Sequence, residues 1–303
     1  MLYSKTTPEA KRRAFREGLT SGRLLRFPGA FNALSAKLIQ KKGFEGVYAS
    51  GGVLANDLGL PDIGLTTLTE VAGRVHTYAR ATDLPVLVDA DTGFGEAMNV
   101  ARTVQELEDA GVAGIHIEDQ VNPKRCGHLD GKQVVDQATA VNRIKAAVDA
   151  RRDDNLVILA RTDIRGSEGL QAAIDRAKAL IDAGADGIFP EALRDLGEFE
   201  AFRKAVDAPL LANMTEFGKS ELFTNQQLED LGFNLVIYPV SLQRLALGAA
   251  ERGLDTIIAE GSLRSQVESM QTRADLYDLV DYAAYNEFDT SVFNFDVERD
   301  NYH

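Results

Sequence analysis

One short unit recurs along this chain: the end of a helical stretch, a glycine, a short linker, and an apolar run that stops at a polar or turn-forming residue. It reads KKGFEGVYAS, DAGVAGIHIE, DAGADGIFPE and DLGFNLVIYP, ending at Ser50, Glu118, Glu191 and Pro239. Glycine closes a helix because it adopts the left-handed conformation at little steric cost. The apolar runs are continuous rather than alternating, as in a parallel sheet covered on both faces. Eight such runs follow one another, at 23–28, 46–50, 85–91, 114–119, 156–163, 187–191, 209–214 and 234–239. Between them, segments such as 96–110, 137–150 and 169–183 repeat their apolar residues at three and four, the helical period. Eight strand–helix units in tandem predict a closed α/β structure, a (β/α)8 TIM-type barrel over residues 1–261. A doubly wound sheet is the alternative, but no G-x-G-x-x-G follows the first strand.

Residues 262–303 lie beyond the eighth unit. They hold a charged segment, 265–277, expected to be helical, and an aromatic tail with Tyr282, Tyr285, Phe288, Phe293 and Phe295. Aromatic residues outside a finished barrel need a surface, either the barrel's own outer helices or a neighbouring subunit.

Charge narrows the partners. The 303 residues carry a formal charge of −13, with the acidic groups spread along the chain. Such a surface repels phosphate backbones and anionic lipid, which argues against nucleic acid and membrane as partners. No stretch approaches the ~20 apolar residues of a membrane span, and the charged first sixteen residues lack the apolar core of a secretory signal. A single cysteine, Cys126, excludes an internal disulfide and fits the cytoplasm.

In barrels of this kind the chemistry comes from the C-terminal ends of the strands. Here those ends are polar as a group: Tyr48 and Ser50-Gly51-Gly52, Asp89 and Asp91, His116 and Glu118, Arg161 and Asp163, Glu191, Asn213-Met214-Thr215, then Ser241 and Arg244. Asp89 and Asp91, two apart on one strand, are expected to face the same way. With Glu118 they offer hard oxygen ligands, suited to Mg²⁺ or Mn²⁺. The loop NPKRCGH at 122–128 sets Cys126 beside Lys124, Arg125 and His128, neighbours that favour the thiolate and lower the thiol below its usual pKa of about 8.5. Gly127 permits close backbone approach. Lys124, Arg125, Arg161 and Arg244, with His116 and His128, supply locally the positive charge that an anionic substrate needs.

These segments resemble the isocitrate lyase and phosphoenolpyruvate mutase superfamily, most nearly its 2-methylisocitrate lyases, over nearly the whole chain. The resemblance is carried by YASGG at 48–52, LGLPDIG at 58–64, VDADTGFG at 88–95, HIEDQ at 116–120 and PKRCGH at 123–128. ARTD at 160–163, FPEA at 189–192, LANMTEFG at 211–218, YPVSLQR at 238–244 and MQTR at 270–273 extend it. It implies cleavage of 2-methylisocitrate, a small polycarboxylate, to pyruvate and succinate, the last step of the methylcitrate route for propionate-derived carbon. By its pattern Asp89 and Asp91 hold Mg²⁺, with Asp62 and Glu118 around its waters. Ser50, Gly51, Gly52, Cys126, Gly127, Arg161, Glu191, Asn213, Met214, Thr215, Arg244 and Arg273 bind substrate. Cys126 is the catalytic acid, with Tyr48, Glu118, His128, Lys124 and Arg125 around the reacting bond. The base is Tyr48, Glu118 or a metal-bound water. Isocitrate lyases are longer and read KKCGH, so KRCGH in this shorter chain points to the methylated substrate, with Phe189 a candidate for the methyl pocket. The resemblance further implies a homotetramer whose C-terminal helices, from 262–303, are exchanged between subunits.

Rival readings are a lyase or hydrolase of the same superfamily acting on isocitrate, dimethylmalate, oxaloacetate or phosphonopyruvate, and a non-catalytic metabolite-binding barrel. The thiol separates them: neither C–P hydrolysis nor simple binding needs a carbon acid.

Overall fold

The computed structural model describes residues 3–125, 127 and 131–293, the side chain of Phe293 excepted. Eight parallel strands appear where the apolar runs predict them: β1 Leu25–Pro28, β2 Val47–Ala49, β3 Val86–Asp89, β4 Gly114–Glu118, β5 Val157–Thr162, β6 Gly187–Pro190, β7 Leu211–Asn213 and β8 Leu235–Tyr238. Continuous ladders join β2 through β6 in chain order, and β8 lies between β1 and β7. Two single bridges close the ring, Gly29 opposite Tyr48 and Ile188 opposite Leu210. Glycine is needed beside the first seam, since a Cβ on Gly29 would lie 1.9 Å from the carbonyl oxygen of Pro239.

Strand alternation sorts the side chains into two layers. Val47, Ala49, Val86, Val88, Ile115, Ile117, Ile158 and Ala160 point outward and pack under the helices. Tyr48, Leu87, Val157, Leu159, Phe189, Leu211, Leu235 and Ile237 point inward and fill the barrel. The inward positions nearer the C-terminal ends of β3, β4 and β5 are instead Asp89, His116, Glu118 and Arg161, all buried. One end of the barrel is therefore apolar and packed, and the other is charged.

The charged N-terminus turns out to close the apolar end. Helix Pro8–Leu19 inserts Phe15, whose ring centroid lies 5.0 Å from that of Phe27, while Phe15 and Leu19 join the inner core. Two of its cations are buried too. Lys11 Nζ donates to the carbonyls of Ala79 and Thr82 at 2.7 and 2.6 Å, and Arg12 Nε to that of Val112 at 3.0 Å. Burial, partly offset by the charge of Asp83, pulls Lys11 down to about 8.

After β8 the chain leaves the barrel. Helix Ser241–Glu260 buries none of its residues and exposes Leu245, Leu247, Leu254 and Ile258. The helix expected over 265–277 is interrupted: a 3-10 turn, Arg264–Ser269, precedes a new helix, Arg273–Leu279. The restart has a local cause, because the Thr272 hydroxyl accepts from the Asp275 amide at 3.1 Å and caps the new helix. Helix Tyr282–Phe293 follows, with Tyr282 and Phe288 exposed rather than packed on the barrel. Phe295 lies outside the described residues. Among the described residues, no helix is long and apolar enough to cross a membrane.

Candidate active site

The charged end of the barrel holds a cavity lined by Tyr48, Ser50, Gly52, Asp62, Asp89, Lys124, Gly127, Arg161, Phe189, Glu191, Asn213, Thr215 and Arg244, with Pro239 and Val240 at its edge. Strand ends far apart in sequence thus meet at one mouth.

Asp89 and Asp91 do converge, but not because they share a strand. β3 ends at Asp89, and Asp91 sits in the turn beyond it with φ of 47°. Asp89 Oδ1 accepts from the Asp91 amide at 3.1 Å and Oδ2 from the Gly51 amide at 3.2 Å, which pins the turn. A Cβ on Gly51 would meet Asp89 Oδ2 at 3.0 Å and Asp91 Oδ1 at 3.1 Å, so both oxygens border the same small space. Burial pushes the Asp91 carboxyl up to about 6, with Lys124 opposing the shift and Asp89 adding to it. At Asp89, burial is outweighed by His116, Lys124 and Arg161, which hold the carboxyl down at about 2.

Lys124 reaches into this acid group from the loop after β4. Its buried Nζ lies 2.5 Å from Asp62 Oδ1 and 2.7 Å from Asp91 Oδ1. Burial lowers its pKa, but Asp91, Glu118, Asp89 and Asp62 outweigh that and raise it well above the ordinary lysine value. Lys124 is therefore a fixed cation and not a proton carrier at neutral pH. His116 is the reverse. It is fully buried, burial drives it down to about 4, and it adds no positive charge at neutral pH, contrary to the sequence expectation. Its Nε2 lies 2.8 Å from the Tyr48 hydroxyl, whose own pKa burial raises well above the usual phenol.

Arg161 is the electrostatic centre. Nε lies 3.0 Å from Asp163 Oδ2 and 3.2 Å from Glu118 Oε2; Nη2 lies 3.2 Å from Glu191 Oε2, and the guanidinium covers the Phe189 ring at 5.0 Å. Glu118 sits behind it and does not line the cavity. Among the described residues neither buried Glu118 oxygen has a hydrogen bond, and burial raises the carboxyl well above its usual range. Across the mouth, Arg244 Nη1 approaches Thr215 Oγ1 at 3.4 Å and Glu216 Oε2 at 3.2 Å.

Three expected contacts are not formed. The Arg125 guanidinium turns back on its own loop, donating to the carbonyls of Pro123 and Lys124, both at 3.1 Å, because its backbone is held by Gln120. The Met214 side chain lies in the core behind β7, where its sulfur accepts from the Phe223 amide at 3.2 Å. Arg273 is exposed on the capped helix beyond the barrel and does not line the cavity. Cys126 and His128 lie outside the described residues. Between them, Gly127 rests directly on the site: a Cβ there would fall 2.4 Å from Arg161 Nη2 and 2.5 Å from Glu191 Cγ. Gly127→Ala is therefore expected to lower kcat about 100-fold, the usual penalty for a misplacement of ~1 Å, measured as steady-state turnover.

Sequence reading missed Lys132, whose Nζ donates to the carbonyl oxygen of Gly127 and to Asp163 Oδ1, the latter at 2.8 Å. It also missed Gln120, which accepts from the Arg125 amide at 2.8 Å. Lys132 lies in no quoted motif, and Gln120 is the last residue of HIEDQ, where nothing marked its side chain; the signal for both was nearness to the cysteine loop.

Comparison with known proteins agrees with this geometry. The phosphoenolpyruvate phosphomutase family matches residues 15–258. The chain belongs to this family. It is 60% identical to a probable 2-methylisocitrate lyase of Corynebacterium glutamicum, over 98% of this chain and 97% of that one. It is 46% identical to the 2-methylisocitrate lyase of Escherichia coli, over 91% and 94%. Among solved structures, a 2,3-dimethylmalate lyase superposes with a TM-score of 0.88 at 31% identity, covering 95% of this chain and 96% of that one. A phosphonopyruvate hydrolase solved with oxalate and Mg²⁺ gives 0.83 at 28%, covering 93% and 98%. With this fold and these relatives, the chain is a TIM-barrel enzyme of the carbon–carbon lyase class.

Proposed function

We propose that this enzyme cleaves 2-methylisocitrate to pyruvate and succinate, with Cys126 as the acid that protonates the departing carbon. The observation that carries the reading is one cavity lined by Asp89, Arg161, Arg244 and Gly127 of the cysteine loop, with the Asp91 carboxylate converging on that of Asp89 beside Gly51.

The donor set fits a magnesium ion. Among the described residues no three His, Cys, Asp or Glu side chains gather to cage an ion directly. Mg²⁺ is usually held by one or two carboxylates with waters kept for substrate oxygens, and Asp89 and Asp91 supply such a pair, with Asp62 near. An ammonium, that of Lys124, already lies between Asp62 and Asp91, a sign that the group favours a cation. When bound, the ion would polarise the substrate's hydroxyl and adjacent carboxylate.

The chain's own residues do the rest. Arg161 and Arg244 bind the outer carboxylates, and Arg161 opposes the charge that builds as the C2–C3 bond breaks. The hydroxyl proton leaves to a base, the C–O bond becomes a carbonyl, and the C2–C3 electron pair passes to the succinyl carbon. The Cys126 thiol then delivers its proton to that carbon and is left as thiolate. Tyr48 lines the cavity whereas Glu118 lies behind Arg161, which favours Tyr48 as the base. Burial keeps its phenol protonated at rest, with its hydroxyl 2.8 Å from neutral His116. Phe189 lines the floor as a surface for the methyl group.

Comparing kcat/KM for 2-methylisocitrate, isocitrate, 2,3-dimethylmalate and oxaloacetate tests the assignment. We expect the first to lead isocitrate by about 10–200-fold, the span one methyl group allows; a lead for any other compound would reassign the substrate. Chelation should abolish turnover and added Mg²⁺ or Mn²⁺ restore it; full activity in EDTA would remove Asp89 and Asp91 as ligands. In the same reading the enzyme is cytoplasmic and homotetrameric. The exposed apolar residues of Ser241–Glu260 and of the helices after it, within 262–303, then pack in exchange against a neighbouring subunit.

A further inference from the structure

We propose that Lys132 is a positioning residue that holds the cysteine loop down on the substrate site. The inference rests on the reading that Cys126 acts from this loop. The loop's base is a short antiparallel pair: Gln120 bridges Val134, the Val121 amide donates to the Gln133 carbonyl, and the Val135 amide to that of Asp119, both at 2.8 Å. This fixes the two legs at their base. Lys124 ties the descending leg to Asp62 and Asp91, and Gln120 holds the backbone of Arg125 on both its amide and its carbonyl.

Past the cysteine, Lys132 forms the tie among the described residues. Its ammonium donates to the Gly127 carbonyl and to Asp163 Oδ1. A carbonyl acceptor makes the tie independent of any side chain at 127, which has none to offer. The anchor is firm because Asp163 is held three more times: Arg161 Nε donates to Oδ2 at 3.0 Å, Arg161 Nη2 to Oδ1 at 3.2 Å, and the Asp163 amide to Asp119 Oδ1 at 2.9 Å. The Lys132–Asp163 pair is out of solvent, with 6% and 0% of the side chains exposed, so it escapes the screening that makes surface pairs weak. One carboxylate therefore positions both the arginine that faces the substrate and the lysine that holds the loop. Releasing Lys132 removes the tie that holds Gly127 against Arg161 and Glu191, next in the chain to Cys126.

Because Cys126 is the sole cysteine, iodoacetamide reports on that position alone. In the intact, metal-loaded enzyme, Lys132→Gln should raise the alkylation rate of Cys126 about fivefold, as a local opening becomes more populated. It should lower kcat about 10- to 100-fold with KM changed less than about threefold, the signature of misplaced catalytic groups. Lys132→Arg, which keeps a cation able to reach both acceptors, should recover kcat to within about threefold of wild type. Unchanged alkylation, unchanged kcat, or an arginine variant as poor as the glutamine one would each overturn the proposal. If the glutamine variant folds poorly, the arginine variant still decides, since its loss of kcat counts against the tie. The alkylation arm does not depend on which substrate is turned over: failure of the substrate assignment would appear in the wild-type enzyme, and failure of the tie only in the Lys132 variants.

Discussion

Replacing Cys126 with serine is expected to lower kcat for 2-methylisocitrate cleavage by about 10²–10⁴-fold, the contribution usual for a positioned general acid. The reason lies in proton donation. A thiol gives up its proton far more readily than a serine hydroxyl does, so the carbanion would wait for water. Binding should survive, because Arg161, Arg244, Asn213 and Thr215, which line the cavity, are untouched. Isothermal titration with succinate, beside steady-state kinetics, separates the two effects. A serine variant with near wild-type turnover would remove the thiol from the mechanism, and one that no longer bound succinate would give position 126 a binding role instead.

Replacing Arg161 with methionine is expected to cost both activity and about 3–5 kcal/mol of stability, the penalty for breaking a buried ion pair from one side. The variant leaves Glu118, Asp163 and Glu191 buried around an apolar side chain, with Lys132 remaining on Asp163 alone. The sign of the pH dependence follows. Burial pushes the Asp163 carboxyl up, but Arg161 outweighs burial and holds it below its usual value, so losing the guanidinium lets burial raise it. A carboxyl raised in the folded state binds more protons there than in the unfolded chain. The variant's stability therefore falls, relative to wild type, as pH rises from the unfolded aspartate's value of about 3.9 toward the folded one. The deficit should be smallest in acid and grow toward neutrality. Urea denaturation at pH 4.5 and pH 7.5 reads it, and an equal deficit at both would mean that the lost packing of Arg161 over Phe189 dominates.

These two variants also mark how far the sequence can be read. The eight strands were legible because burial on both sides of a parallel sheet leaves an uninterrupted apolar run, and because glycine ends the preceding helix; each of β1 to β8 falls within its predicted run. Arg161, Glu191, Asn213, Thr215 and Arg244 were legible as a group, since polar residues at strand ends have few structural reasons to recur at one rim.

Sign of charge and direction of side chain were not legible. His116 reads as a cation in sequence, and only full burial makes it neutral. Arg125 and Lys124 are adjacent in sequence, yet one donates to its own loop and the other enters the acid group, because Gln120 clasps the backbone at Arg125. Asp91 converges on Asp89 through a left-handed turn instead of a common strand face. Lys132 gave no signal, because its partners are a carbonyl and an aspartate 31 residues away.

What the sequence determined by itself, then, was the ring of strands and the chemistry gathered at its rim. Both follow from periodicity and residue type, which are local. The tertiary structure decided which groups hold charge, which face the cavity and what holds the loop. Burial, pairing and the hydrogen bonds of distant segments set those properties, and they exist only once the barrel has closed.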